Sequence, residues 1–254
     1  MRRLIKIAKH LAFYGALLGL WQIISALHFW PPYLFPTPAS VFAALQDGFA
    51  DHSSWIAIAV TMKRMLLGFG ISMCLGSILG LLLAQNEFME ESLGRLVVSM
   101  QSMPSICWLP LSILWFGLSE KAILFVVVMG SMLSISITLD SGLRNVPRVY
   151  GMVGRNFGAH SWRLFWLVLL PASLPHLVSG FKQGWAFAWR SLLAGEMIFV
   201  SLGLGQLLVM GRDLNDINQI VAVMVLVISI GFVVDGLVFR NIERRLRQKW
   251  GIAT

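Results

Sequence analysis

The feature that most limits what this chain can fold into is a set of apolar runs, each about as long as a lipid bilayer is thick. A helix needs roughly 20 mostly apolar residues to cross the hydrocarbon core, within a range of about 17 to 25. Runs of that kind cover residues 11–28, 60–84, 96–117, 121–140, 168–190 and 218–239. Backbone in hydrocarbon must satisfy its polar groups within a helix or a closed barrel, and these runs are far too long for barrel strands. The expected class is all-α, a polytopic membrane protein with about six transmembrane helices. Composition agrees: 57% of the 254 residues are hydrophobic and 13% are charged, where a soluble domain carries about 25% charged residues.

A net charge of +8 has two common sources, a nucleic-acid surface or the retention of basic loops in the cytoplasm. Placement separates them. With a cytoplasmic N-terminus, six crossings gather Arg2, Arg3, Lys6, Lys9, Arg95, Arg144, Arg148, Arg155, Arg163, Arg240, Arg244, Arg245, Arg247 and Lys249 on the inner side. Lys63, Arg64, Lys121 and Arg212 fall outside or near the outer edge, and Lys182 and Arg190 fall within the fifth run. This distribution puts both termini in the cytoplasm and needs no nucleic acid. The first apolar run reads as a retained helix, because its flank LHFWPPYLFPTP offers no small-residue cleavage site for a signal peptidase. Cys74 and Cys107 lie in apolar surroundings without metal-ligand spacing and read as small buried hydrophobes.

The pieces between the runs are too short for a folded catalytic domain, so residues 1–254 read as one transmembrane domain. Residues 1–59 form the first helix and an external amphipathic segment, ASVFAALQDGFA, which follows Pro31, Pro32, Pro36 and Pro38. Residues 60–240 hold the core spans, with the largest cytoplasmic loop at 141–167, and residues 241–254 form a cytoplasmic tail. The loop and its exit read VPRVYGMVGRNFGAHSWRLFWLVLLPASLP, the pattern of a short amphipathic helix, a glycine break and an aromatic-rich helix entering the membrane. Such a segment can dock on a partner.

In this loop the chain resembles the permease subunits of bacterial ABC importers, whose loop has the form E-A-A, three residues, Gly, nine residues, Ile, one residue, Leu-Pro. Gly158, nine residues, then Val168, Leu169, Leu170 and Pro171 reproduce the second half of that spacing. Met152, Val153 and Gly154 stand at the E-A-A positions, so the acidic residue is missing. The likeness extends to the branch that imports nitrate, aliphatic sulfonates and taurine, through LFPTPASV near residue 36, SMPSICWLPLSILWFGLSEKA at 102–122 and GLGQLLVMGRDLNDINQIVAVMVL from 203. The resemblance implies a bacterial inner-membrane protein that forms the translocation path and binds no cofactor itself, with ATP and Mg held by a cytosolic ATP-binding subunit. It also implies a second permease copy, expected to make a homodimer, and an external solute-binding protein. Under it, Met152, Arg155, Asn156, Phe157, Gly158, Ala159, Trp162, Leu170 and Pro171 form the ATPase-coupling element, with Gly158 allowing close backbone approach.

Ionisable residues near the middle of a span cost about 2.5 to 3.5 kcal/mol on insertion scales and call for a reason. Arg190, with Trp185 and Trp189 beside it, is the candidate to line a path and supply positive potential for an anion. Glu196 is the acidic candidate on the same segment. The alternative reading takes Arg190 to the outer interface and pairs Lys182 with a carbonyl or Asp140, and Asp235 is expected to reach Arg240 or a headgroup. Pro104 and Pro110 interrupt the third run, and such breaks survive at membrane depth only where protein or a water-filled cavity covers the freed backbone. Ser102, Ser105 and Ser112 lie nearby as neutral hydrogen-bond partners, while the spacing of Gly76 and Gly80 suggests helix packing. An intramembrane enzyme finds no support, since the five histidines are scattered and H-E-x-x-H, G-x-S-x-G and phosphate-loop patterns are absent. A secondary transporter would show an internal repeat and buried acids for ion coupling, and the apolar runs carry almost none.

Overall fold

The computed structural model describes residues 2–27, 29–31, 33–199 and 202–249. Every regular element among them is a helix: α1 (Arg2–Ala26), α2 (Pro38–Ala50), α3 (Ser53–Gln85), α4 (Glu87–Gln101), α5 (Ser105–Phe116), α6 (Glu120–Arg144), α7 (Arg148–Asn156), α8 (Trp162–Ile198), α9 (Leu204–Asp213) and α10 (Ile217–Leu246). Among the described residues, helices α3, α6, α8 and α10 are long and apolar enough to cross a bilayer, and α4 and α5 reach that length only as a pair, bent by 101° at the break between them. In α1 the apolar stretch is confined to Ala12–Ala26, shorter than the run read from sequence. The fifth helix is longer than its run, so Arg190 and Glu196 both lie inside it.

The chain divides into two compact units. The first comprises residues 1–60 and 201–229. Here the proline-rich segment is anchored by the Trp21 indole, whose Nε1 donates to the Pro36 carbonyl at 3.0 Å. Thr37 then caps α2, its hydroxyl accepting from the Ser40 amide at 3.1 Å, while Pro38 occupies the first turn, where its missing N–H costs nothing.

The second unit comprises residues 61–200 and 230–254, and α6 is its axis. Lipid tails are as apolar as leucine, so association of helices in a membrane depends on close van der Waals contact between small residues. A Cβ on Gly76 would stand 2.7 Å from the Met132 carbonyl oxygen, and one on Gly80 would stand 2.6 Å from that of Ser136. The packing read from their spacing is therefore present, with α6 as the neighbour. On its other side α6 packs extensively on α8, where Gly180 lies against Thr138, Gly184 against Ile135 and Gly142 against His176. Across the α3 side, Ser131 Oγ donates to Ser72 Oγ at 2.7 Å. An apolar cluster of Leu83, Val97 and Leu133 closes α3, α4 and α6 together.

The two prolines of the third run do different things. Proline has no N–H and disfavours helical backbone in the residue before it, so α4 ends at Gln101 and the chain turns at Pro104. Pro110 instead lies in the first turn of the α-helical part of α5 and continues it. Both cysteines are exposed and free, rather than buried; they lie on outward faces of the helices.

Gly70, also in α3, faces open space, and a Cβ there would meet nothing within 4 Å. Gly80→Ala is expected to lower stability by about 1–3 kcal/mol through overpacking. Gly70→Ala is expected to raise it by up to about 1 kcal/mol through helix propensity. Thermal unfolding of the two variants in the same detergent checks both the opposed signs and the contact of α3 with α6.

Candidate functional site

Helix α4 stops at the bend, and a cavity of about 280 Å³ opens against α6 and α8. Its walls are Met100, Gln101, Ser102, Met103, Pro104, Ser105, Trp108, Met129, Gly130, Leu133, Phe187 and Arg190. Breaking a helix removes the regular amide partners of its last carbonyls; here those of Val98, Ser99 and Met100 accept instead from the Ser102 amide, the Ser102 hydroxyl and the Met103 amide. The bend exists because of Pro104. Arg190 reaches the cavity from α8, and two contacts hold its guanidinium. Nε donates to the Ala186 carbonyl at 3.1 Å, and the group lies 4.7 Å from the Phe187 ring centre. None of the described lining residues is acidic. One cation, the Ser105 hydroxyl and the Gln101 amide thus share a small space, a set of donors suited to an anion, while the Ser102 hydroxyl beside them donates to the Ser99 carbonyl at 2.6 Å.

Of the residues read from sequence as path-lining, Ser102, Pro104, Ser105 and Arg190 come together here. Pro110, Trp185, Trp189 and Glu196 are not among the lining residues. Trp189 is buried. Trp185 packs edge-to-face on Phe69 with ring centres 5.2 Å apart, and contacts Phe239 at 6.2 Å. Ser112 is fully buried and donates to the Leu109 carbonyl at 2.7 Å, so it serves the helix.

Glu196 is fully buried, and its environment was not foreseen. Its carboxylate accepts from the Thr61 hydroxyl at 2.9 and 3.0 Å and from Arg64 Nη1 at 3.1 Å. Arg64 Nη2 reaches Glu120 at 2.9 Å. Arg64 is a buried residue, 4% exposed, which joins the first turn of α6, the last turns of α8 and the side of α3. The signal was present: Arg64 interrupts an apolar run just as Arg190 does. At the opposite end of the same helices Arg144 bridges Asp140 at 2.8 Å and Glu90 at 2.9 Å, and donates to the Leu83 carbonyl at 2.7 Å. Lys182 pairs with Asp235 at 2.7 Å, with Glu243 at 3.8 Å. The partners expected for it, a carbonyl or Asp140, and for Asp235, Arg240 or a headgroup, are thus replaced by each other.

A second feature is the surface of α7. Its Gly154 is buried, and a Cβ there would stand 2.6 Å from Leu164 Cδ1 and 3.0 Å from Val168 Cγ2, so the helix lies tightly on the first turns of α8. Gly158 has φ +80° and open space around it. The Gly158 amide donates to the Arg155 carbonyl and the Ala159 amide to that of Gly154, each at 2.9 Å. That pair of bonds is a Schellman cap. Gly158 ends the helix by its left-handed backbone, and Gly154 makes the close approach that was expected of Gly158. The face turned away carries Val149, Met152, Val153 and Phe157, all exposed. Arg155, Asn156 and Trp162 are exposed beside them, and Ala159 is half-buried. Leu170 and Pro171 continue α8 below this surface.

The family model described as the binding-protein-dependent transport system inner membrane component matches residues 73–248. The putative aliphatic sulfonates transport permease SsuC of Escherichia coli (strain K12) is 29% identical over 237 residues, covering 93% of this chain and 89% of that protein. The taurine transport system permease TauC of the same strain is 24% identical over 237 residues, covering 91% and 86%. Among solved structures, an inward-facing form of the MetNI methionine ABC transporter superposes with a TM-score of 0.63 at 20% identity, covering 73% of this chain and 92% of that one. At that identity the superposition shows a shared fold.

Removing one member of a buried ion pair costs about 3–5 kcal/mol, because it strands the other charge, whereas replacing both with apolar groups is often near neutral. Glu196→Leu is therefore expected to destabilise strongly, and Arg64→Met combined with Glu196→Leu to recover most of the loss. Denaturation in detergent of the two singles and the double completes the cycle.

Proposed function

The chain belongs to the family of binding-protein-dependent transport system inner membrane components, and from that premise we propose that it carries a small anion, of the nitrate, sulfonate or taurine kind, past Arg190 at the bend between α4 and α5. It is a multi-pass membrane protein and a permease subunit of an ABC importer. Members of this class work with an ATP-binding subunit and pair with a second permease. We take the second permease to be another copy of this chain, and an external binding protein to deliver the solute. ATP and Mg belong to the partner under this reading.

The observation that carries the anion is the acid-free cavity with one guanidinium in its wall. A positive group in a low-dielectric wall raises the local concentration of anions and repels cations. A solute with an ammonium group, such as zwitterionic taurine, would find no carboxylate there, so within this class the lining favours nitrate or a sulfonate that carries no ammonium group. Ser102, Pro104 and Ser105 belong to the path in this proposal, and Glu196 supports it from the clamp with Arg64.

The same reading accounts for α7. Closure of the ATP-binding subunits would displace it, and its clamp on Leu164 and Val168 through Gly154 would pass the displacement directly into α8. Helix α8 has 37 residues, about 55 Å at 1.5 Å per residue, and carries Arg190 on its far half. One continuous element therefore joins the docking surface to the proposed path. Met152, Arg155, Asn156, Phe157, Ala159 and Trp162 would meet the partner, with Gly158 and Leu170–Pro171 fixing the shape of the element.

Transport is the test. In proteoliposomes with the ATP-binding subunit and binding protein, Arg190→Gln is expected to lower ATP-driven uptake of sulfonate or nitrate at least about tenfold, while assembly and unfolding temperature stay unchanged. Uptake equal to the wild type would remove Arg190 from the path. Loss of assembly with Gly158→Asp, at unchanged Arg190, would locate coupling at α7.

A further inference from the structure

We propose that the groove which receives α7 on the ATP-binding subunit bears acidic side chains along one lip, where it meets Arg148 and Arg155. The inference rests on the importer reading above and goes beyond it by assigning the chemistry of the partner's surface.

Helix α7 is a short, preformed knob. Pro147 precedes it and the Gly158 cap closes it, so its nine residues, about 14 Å long, are held in shape before any partner arrives. Val149, Met152 and Val153 are 60%, 56% and 46% exposed, and Phe157 beyond them is 87% exposed. At 100° per residue Val149, Met152, Val153 and Asn156 share an arc of about 100°. Arg148 and Arg155, seven residues apart, fall side by side along one edge of that arc. Gly154 faces the opposite way, against α8. The ridge is therefore apolar along its crest and basic along one flank.

Nothing in the loop neutralises that flank. From residue 141 to residue 195 the sequence contains no Asp or Glu, and no ion pair of Arg148, Arg155 or Arg163 occurs among the described residues. Met152 occupies the position at which the loop pattern places Glu, so the polarity of the docking contact is shifted from negative to positive. A groove accommodating this ridge must be apolar at its floor and negative at the lip beside the arginines, because leaving two guanidinium groups against a neutral or basic wall would cost their solvation without return. A protein groove fits better than a lipid surface: the knob is short, narrow and closed at its C-terminal end by the Gly158 cap, where membrane-surface helices are commonly 20–30 residues long.

The permease is placed in nanodiscs of neutral phosphatidylcholine and its affinity for the purified cognate ATP-binding subunit is measured between low and high salt. The wild type is expected to bind and to weaken as salt screens the contact. Arg148→Gln with Arg155→Gln is expected to bind about tenfold more weakly at low salt and to lose most of the salt dependence. Arg148→Lys with Arg155→Lys, which keeps the charge, should retain most of the affinity, and all three proteins should unfold at the same temperature. Wild-type affinity and salt slope in the Gln variant would overturn the acidic lip while leaving the importer reading intact. An effect of the Gln substitutions that appears only in discs of anionic lipid would place the arginines on headgroups and also overturn it. A wild type that binds no ATP-binding subunit would overturn the importer reading itself.

Discussion

Everything in the second unit depends on α6 lying at backbone contact with α3 on one side and α8 on the other. Water supplies no driving force for this association inside a bilayer, so the contact surfaces must be small and closely matched. Glycines of α3 receive α6, and glycines of α8 and α6 alternate along the other seam, with distances from ideal Cβ positions of 2.6–2.8 Å at Gly76, Gly80, Gly142, Gly180 and Gly184. Charge closes this packing at both ends. Arg64 joins the three helices at one end through Glu120 and Glu196, and Arg144 ties α6 to Glu90 and the Leu83 carbonyl at the other. Each buried charge is matched, which is the condition for keeping it at all in so apolar a setting.

A core this tightly joined leaves the bend between α4 and α5 as the place where irregular backbone meets a cavity. The break hands the last carbonyls of α4 to irregular partners, the Ser102 amide and hydroxyl and the Met103 amide, and so gathers polar groups of the kind a hydrated solute requires. The same proline therefore determines both where the helix fails and where polar groups collect. Arg190 completes the arrangement from the facing helix, with its Nε already committed to Ala186 and its flat face near Phe187.

The helices and the helix–glycine–helix form of the loop were legible in sequence because they depend on local periodicity and on the backbone demands of Pro and Gly. The function class was legible only through a resemblance to a known family, carried by the spacing around Gly158 and by the runs near residues 36, 102 and 203. What could not be read was which of several similar residues does which task. Gly154 and Gly158 differ only in what lies opposite them, and Pro104 and Pro110 only in where a helix begins. Arg64 and Glu196 are 132 positions apart, and Lys182 and Asp235 lie on different helices. Pairings of that kind are set by how helices pack, and a single sequence carries no record of it.

The construction of α8 also constrains how any displacement at α7 can travel. Between the Gly154 clamp and the seam with α6 lie a wide turn at Phe165–Leu169, where the hydrogen-bond register slips, and Pro175, which removes one helical bond and crowds the carbonyl four residues earlier. These are the compliant positions of the helix. Beyond them, from His176 against Gly142 to Gly195 against Ile123, the two helices interlock residue by residue. Sliding along that seam would drive side chains into backbone, so α6 and the far half of α8 must move as a block or not at all. A displacement of α7 is thus either absorbed by bending between residues 165 and 175 or delivered whole to the far half of α8, which carries Arg190, and the stiffness of that eleven-residue stretch sets the division between the two.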